Sequence, residues 1–139
     1  MSPMPYRVAF FDIGDTLGHA EGEGRALQLH PFATTVSLLQ SFGAALGLRL
    51  GIITNSGSLG PADISSLLER AGLMSFFEPG LIVTSAEVGT KKPEAKIYNT
   101  APERAGVAIG QCLYIGDAAS EVEGAERAGM GGLLKPVPT

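Results

Sequence analysis

The stretch "AFFDIGDTLG", residues 9–18, decides how this chain is read. An apolar, strand-forming run halts on Asp12, Gly14 follows, and Asp15 comes three places after Asp12. A carboxylate at the end of a buried strand is a candidate nucleophile for phosphate chemistry. An aspartate there also serves as a turn former or helix cap, so its meaning depends on what the other strand ends bring to it.

Four more apolar runs follow the first, which occupies residues 7–11. They fall at 48–54, 81–84, 113–115 and, with a glycine, 132–134. Between them lie segments of helical period. Residues 32–46 place Phe32, Val36, Leu39 and Phe42 on one face, 64–71 place Ile64, Leu67, Leu68 and Ala71, and 121–128 end before Gly129. The segment 94–105 is also helical in character, but Pro102 removes a backbone donor and predicts a kink or two short pieces. Strands apolar on both faces and separated by helices imply an α/β fold. Such a fold has a parallel sheet covered on both sides, with its ligand crevice at the carboxyl ends of the strands.

Composition narrows the function. A chain of 139 residues is the size of one domain, so one domain over 1–139 is expected. The net charge is −4 with Lys and Arg scattered, which gives neither the basic footprint of a nucleic-acid binder nor an attraction to anionic membranes. Cys112 is the single cysteine, so no internal disulfide forms, and its apolar neighbours predict a buried, inert thiol. The N-terminal apolar stretch is too short for a signal-peptide core and no run has the length to span a bilayer. A cytoplasmic protein is the expectation.

The crevice rule brings particular side chains together. Asp12 ends the first strand, Thr54 and Asn55 end the second, Lys92 follows the third, and Asp117 follows the fourth. Carboxylates hold Mg²⁺, while a lysine, a hydroxyl and backbone amides neutralise phosphate oxygens. Each residue alone has an ordinary structural explanation; together they describe a site.

With those residues in view, "FFDIGDTL", "GIITNSG", "GTKKPEAKIY" and "LYIGDAASEVEGAERAGM" resemble the four ordered motifs of the haloacid dehalogenase superfamily, covering Phe10 to Met130. The resemblance implies a Rossmann-like three-layer fold with strand order 5-4-1-2-3 and a Mg²⁺-dependent phosphomonoester hydrolase working through an aspartyl-phosphate. It implies Asp12 as nucleophile, Thr54 as the phosphate-binding hydroxyl, Lys92 as charge stabiliser, and Thr54, Asn55 and Lys92 as the substrate-binding residues. Asp117 and the backbone carbonyl of Gly14 would join Asp12 as metal ligands.

Departures from the family pattern carry information of their own. The usual acid/base aspartate, two places after the nucleophile, is Gly14 here, and Asp15 stands where glycine is usual. Whether Asp15 takes over the proton transfer is open. Glu121 replaces an aspartate four places after Asp117, with a side chain long enough to reach a metal's water shell. Only a flap-sized segment, "TLGHAEGEGRALQLH", separates the first site from the helix before the second strand, so no sizeable cap domain is expected. His19, Glu21, Glu23, Arg25 and His30 in that flap read as a solvated polar loop. An open site needs a wall, supplied by a large phosphorylated substrate or by a second subunit of a homo-oligomer. The substrate is thus a phosphorylated small molecule or a macromolecular phosphoester.

Three rivals remain to be weighed. A receiver domain shares a Lys-Pro pair and acidic residues, but its lysine lies at the last strand, whereas Lys92 is followed by another strand and Asp117. A haloacid dehalogenase fits Gly14 but not Asp117 or the missing cap. A catalytically impaired regulatory or interaction module on the same fold is the third.

Overall fold

The computed structural model describes residues 5–138. Its central sheet is parallel, built from β1 (Val8–Phe11), β4 (Arg49–Thr54), β5 (Ile82–Thr84), β6 (Cys112–Gly116) and β7 (Gly131–Leu134) in the order β5-β4-β1-β6-β7. Counted along the sheet strands alone, this is the expected order 5-4-1-2-3. The Rossmann-like α/β class is therefore the observed one.

Period-two alternation along β1 builds both halves of the core. Ala9 and Phe11 face one layer, with Leu39, Leu67 and Leu68; Val8 and Phe10 face the other, with Ile97, Tyr98 and Ala125. The first layer is α1 (Thr35–Gln40) and α2 (Pro61–Arg70); the second is α4 (Ala95–Ala105) and α5 (Ala119–Ala128). A short α3 (Ser85–Val88) follows β5, with Thr84 capping it by accepting from the Glu87 amide. All four residues of β1 are fully buried, which is why its sequence shows no polar alternation.

Three expectations need correction. The helix expected over 32–46 begins at Thr35, and its last turn, Ser41–Ala45, is π-helical. Val36 is 42% exposed, while Thr35 turns inward because its hydroxyl donates to the Leu17 carbonyl at 2.6 Å. Phe42, in the wider turn, meets Phe11 edge-on at 5.5 Å. At 94–105 there is one continuous helix with Pro102 inside. Pro102 is buried along with Ile97, Tyr98, Ala101 and Ala105, and packing of that face offsets the one lost backbone bond. Finally, the flap is not a loop. It is an antiparallel hairpin of β2 (Gly18–Glu21) and β3 (Gln28–Pro31), pairing His19 with His30 and Ala20 with Leu29. Most of its residues are exposed, so the hydrophobic pattern that marks the other strands is absent.

No domain is inserted between the described elements, and no described helix is long and apolar enough to cross a membrane. Cys112 is buried, and burial pushes its thiol up to about 11, in keeping with an inert role. The chain runs outward from β1 through β4 to β5 and then returns to place β6 on the other side of β1. The carboxyl ends beside β1 are therefore the topological switch point, where ligands of such sheets bind.

Candidate active site

Asp12 leaves β1 at that switch point, its amide donating to the Ile115 carbonyl of β6 at 3.0 Å. Lys92 crosses from the loop before α4, and its Nζ lies 2.9 Å from Asp12 Oδ1. The lysine side chain is only 1% exposed, so the ammonium needs partners throughout. Glu121 Oε1 lies 2.9 Å from the same nitrogen, and Nζ donates to the Tyr114 hydroxyl at 2.8 Å. That hydroxyl in turn donates to Glu121 at 3.2 Å. Burial, with Asp12 and Glu121 nearby, holds the Tyr114 phenol far above its ordinary value, so it remains a neutral donor.

Glycine makes this meeting of elements possible. A Cβ on Gly124 would stand 2.7 Å from Pro93 Cβ, so only glycine lets α5 approach the Lys92–Pro93 turn this closely. One turn earlier on α5 is Glu121. Its backbone carbonyl accepts from the buried Tyr98 hydroxyl at 2.6 Å. The side chain thus belongs to the lysine network.

Asn55 also acts on Lys92. Its Oδ1 accepts from the Lys92 amide at 2.8 Å and its Nδ2 donates to the Lys92 carbonyl at 3.1 Å, so the amide group is already committed on both sides. Thr54, 6% exposed, ends β4 beside it.

Asp117 follows β6 and accepts from Thr16 Oγ1 at 3.2 Å. Desolvation raises its carboxyl above the ordinary value, and the Asp12 carboxylate close by adds to the rise. Capping does not explain this position, since the cap residue of α5 is Ala118 and no side chain caps that helix. Two carboxylates that press on one another mark a place for a cation. The Gly14 carbonyl accepts no hydrogen bond among the described residues. Two carboxylates and a carbonyl are hard oxygen donors, and they fit Mg²⁺, which binds through one or two carboxylates and keeps several waters. Among the described residues no group of three or more His, Cys, Asp or Glu side chains is placed to hold a metal ion, so this candidate set rests on two carboxylates and a carbonyl.

Gly14 and Asp15 lie in a tight turn in which the Thr16 and Leu17 amides donate to the Ile13 carbonyl and the Asp15 amide donates to Gly18. Asp15 is exposed, has φ +64°, and makes no ion pair or side-chain hydrogen bond with Asp12, Lys92 or Asp117. A Cβ on Gly14 would meet nothing within 4 Å. The position of the usual acid is therefore empty space.

The chain as a whole has a match among known proteins. A family model described as haloacid dehalogenase-like hydrolase covers residues 7–134. The chain belongs to the haloacid dehalogenase-like hydrolases. It is 39% identical over 102 residues to the pyrimidine 5'-nucleotidase YjjG of Escherichia coli (strain K12), covering 72% of this chain and 42% of that one. It is 35% identical over 107 residues to the glyceraldehyde 3-phosphate phosphatase of Methanothermobacter thermautotrophicus, covering 76% of this chain and 45% of that one. The chain thus spans less than half the length of these relatives. Among solved structures, a HAD phosphatase from Thermococcus onnurineus superposes with a TM-score of 0.60 at 33% identity, over 75% of this chain and 45% of that one. An uncharacterized protein from Listeria monocytogenes shares the fold, with a TM-score of 0.77 at 19% identity over 89% of this chain and 75% of that one.

Sequence reasoning named Asp12, Lys92, Asp117, Thr54, Asn55, Gly14 and Asp15. Asp12, Lys92 and Asp117 come together, Asn55 holds the Lys92 backbone, Gly14 and Thr54 line a cleft with Asn55, and Asp15 stands apart. Tyr114 and Thr16 were missed. Their signal was their placement, two residues before Gly116 and four after Asp12, where a strand or turn returns a hydroxyl to the crevice.

Proposed function

We propose that the chain is a phosphomonoester hydrolase with Asp12 as nucleophile. The observation that carries this reading is the buried Lys92 ammonium 2.9 Å from the Asp12 carboxylate, with Asp117 alongside. The carboxylate attacks phosphorus, the bond from phosphorus to the ester oxygen breaks, and its electron pair leaves on that oxygen. Water then attacks the same phosphorus and the bond to the Asp12 oxygen breaks. This returns the carboxylate and frees inorganic phosphate, with the water's proton passing to phosphate or solvent. Lys92 neutralises charge on Asp12 and on the phosphate oxygens, and the Thr54 hydroxyl binds one of those oxygens. Asp12, Asp117 and the Gly14 carbonyl would hold Mg²⁺, whose chemistry is to neutralise the phosphate's negative charge.

The relatives named for nucleotidase and phosphatase activities support this class of reaction and leave the substrate of this chain open. The open crevice suits a phosphorylated small molecule or a macromolecular phosphoester, and a second subunit would complete its wall. A lone buried thiol is in keeping with the cytoplasm. The test is phosphate release from phenyl phosphate with and without Mg²⁺, in parent and Asp12→Asn. Mg²⁺-dependent turnover abolished in a folded Asp12→Asn supports the reading. The empty acid position at Gly14 favours a regulatory or interaction module as the second reading, and no turnover with any ester at any Mg²⁺ concentration would select it.

A further inference from the structure

Beside Gly14, Thr54 and Asn55 a cleft of about 170 Å³ runs between the β2–β3 hairpin and α2. Its far wall is apolar: Leu27 and Ala20 from the hairpin, Leu59 before α2, and Ile64 and Leu67 on α2. Of the rest of its lining, Thr54 and Gly14 lie on the phosphate side in the proposed function, and the other two polar side chains are engaged. Asn55 is bonded to the Lys92 backbone on both sides and the Ser56 hydroxyl donates to Leu59. No lysine, arginine or histidine lines the cleft; past Leu27, Arg25 faces Asp63 and Arg70 donates one bond to the Leu27 carbonyl. A leaving group that carries a further carboxylate or phosphate, beyond the oxygen that departs, finds no cation in this lining. An uncharged one loses nothing.

Size and lining then define the occupant. An apolar cavity of about 150 Å³ lined by aliphatic side chains takes a benzene ring, so this cleft matches a six-membered aromatic ring in both respects. Its mouth is at Gly14, where a Cβ would meet open space. The lack of an acid there points the same way, because aryl oxygens leave without a proton more readily than alkyl ones.

We infer that this cleft receives the leaving group of the phosphate ester and that the group is an uncharged aromatic ring. This rests on the phosphohydrolase reading above. Benzoyl phosphate and acetyl phosphate test it, since both are activated acyl phosphates and differ mainly in the ring. The parent is expected to favour benzoyl phosphate in kcat/KM by about 10- to 100-fold, the worth of burying a phenyl-sized group. Leu27→Trp and Ala20→Leu, which fill the cleft from the hairpin, should bring that ratio close to one. A ratio close to one in the parent, or a ratio kept in a folded variant, overturns the inference.

Binding of phenylphosphonate against methylphosphonate separates the two readings. If neither acyl phosphate is hydrolysed, the hydrolase reading fails; tighter binding of phenylphosphonate by the parent, lost in Ala20→Leu, still supports the cleft. Equal affinities in the parent overturn it. The same comparison in the parent decides the matter if neither variant folds.

Discussion

The Glu121 carboxylate lies 2.9 Å from Lys92 Nζ, the same distance at which the Asp12 carboxylate meets that ammonium. One buried cation is therefore shared between a nucleophile and an anchor. Glu121→Ala should remove the anchor, costing about 1–3 kcal/mol of stability and roughly tenfold in kcat/KM as Lys92 loses its fixed position. Glu121→Gln, which can still accept from Tyr114, should recover most of the activity. Thermal melts and steady-state kinetics on both variants check this, and a Gln variant as poor as Ala would show that charge, rather than position, is what Glu121 supplies.

Asn55 fixes the same lysine through its backbone. Asn55→Ala leaves the Lys92 amide and carbonyl without their partners, so stability should fall by about 1–2 kcal/mol. Because the side chain is engaged with Lys92 and not with substrate, kcat should fall more than KM rises. A selective rise in KM for every phosphate ester would instead assign Asn55 to substrate binding.

Mg²⁺ should raise the melting temperature by relieving the repulsion between Asp12 and Asp117. Asp117→Asn removes part of that repulsion, so the metal-free variant should melt no lower than the parent and should lose most of the Mg²⁺ response. Titrating Mg²⁺ into both proteins during thermal melts gives the answer, and an unchanged response in Asp117→Asn would remove Asp117 from the ligand set.

The sheet was legible in β1, β4, β5 and β6 because these strands are buried on both faces and hence almost uninterruptedly apolar, as "VAFF" and "GIIT" show, whereas β7, with Leu133 and Leu134 exposed, gave the weaker signal. The hairpin was not, since its strands "GHAE" and "QLHP" are mostly exposed and carry no periodic signal. At the site, Asp12, Thr54, Lys92 and Asp117 could be gathered by one rule about strand ends. The Lys92–Tyr114–Glu121 network could not, because it depends on how closely α5 approaches the Lys92–Pro93 turn, and that is set by packing at Gly124.

Far from the crevice, Arg49 holds Glu78 through two bonds of 2.9 Å. Arg49 lowers the Glu78 carboxyl below its ordinary value of 4.5. A lowered folded value means that the pair's stabilisation is present above pH 4.5 and is lost as pH falls through the lowered value. Glu78→Gln should therefore destabilise the protein at neutral pH and make no difference in strong acid. The side chains are 40% and 44% exposed, so solvent screening keeps the effect below about 1 kcal/mol. Melts of parent and variant from pH 7 to pH 3 should converge; a constant gap would trace the loss to packing.

Gly14 and Asp15 decide what becomes of the leaving group. A positioned general acid contributes about 10²–10⁴-fold where the departing oxygen needs a proton. With empty space at Gly14, parent activity should favour aryl and acyl phosphates over simple alkyl phosphates. A Cβ at position 14 meets nothing within 4 Å and the backbone there is not in the left-handed region, so Gly14→Asp should fold and should gain more on alkyl than on aryl phosphates. Asp15 is the competing source of a proton. It is exposed at φ +64°, a conformation that suits asparagine and aspartate in a turn, so Asp15→Asn should change stability by less than about 0.5 kcal/mol and should affect both substrate types equally little. A loss of tenfold or more confined to alkyl phosphates, in a folded Asp15→Asn, would make Asp15 the acid and Gly14 an innocent neighbour. The double variant Gly14→Asp with Asp15→Asn then closes the question, because a true acid at position 14 keeps its gain whether or not a carboxylate follows it.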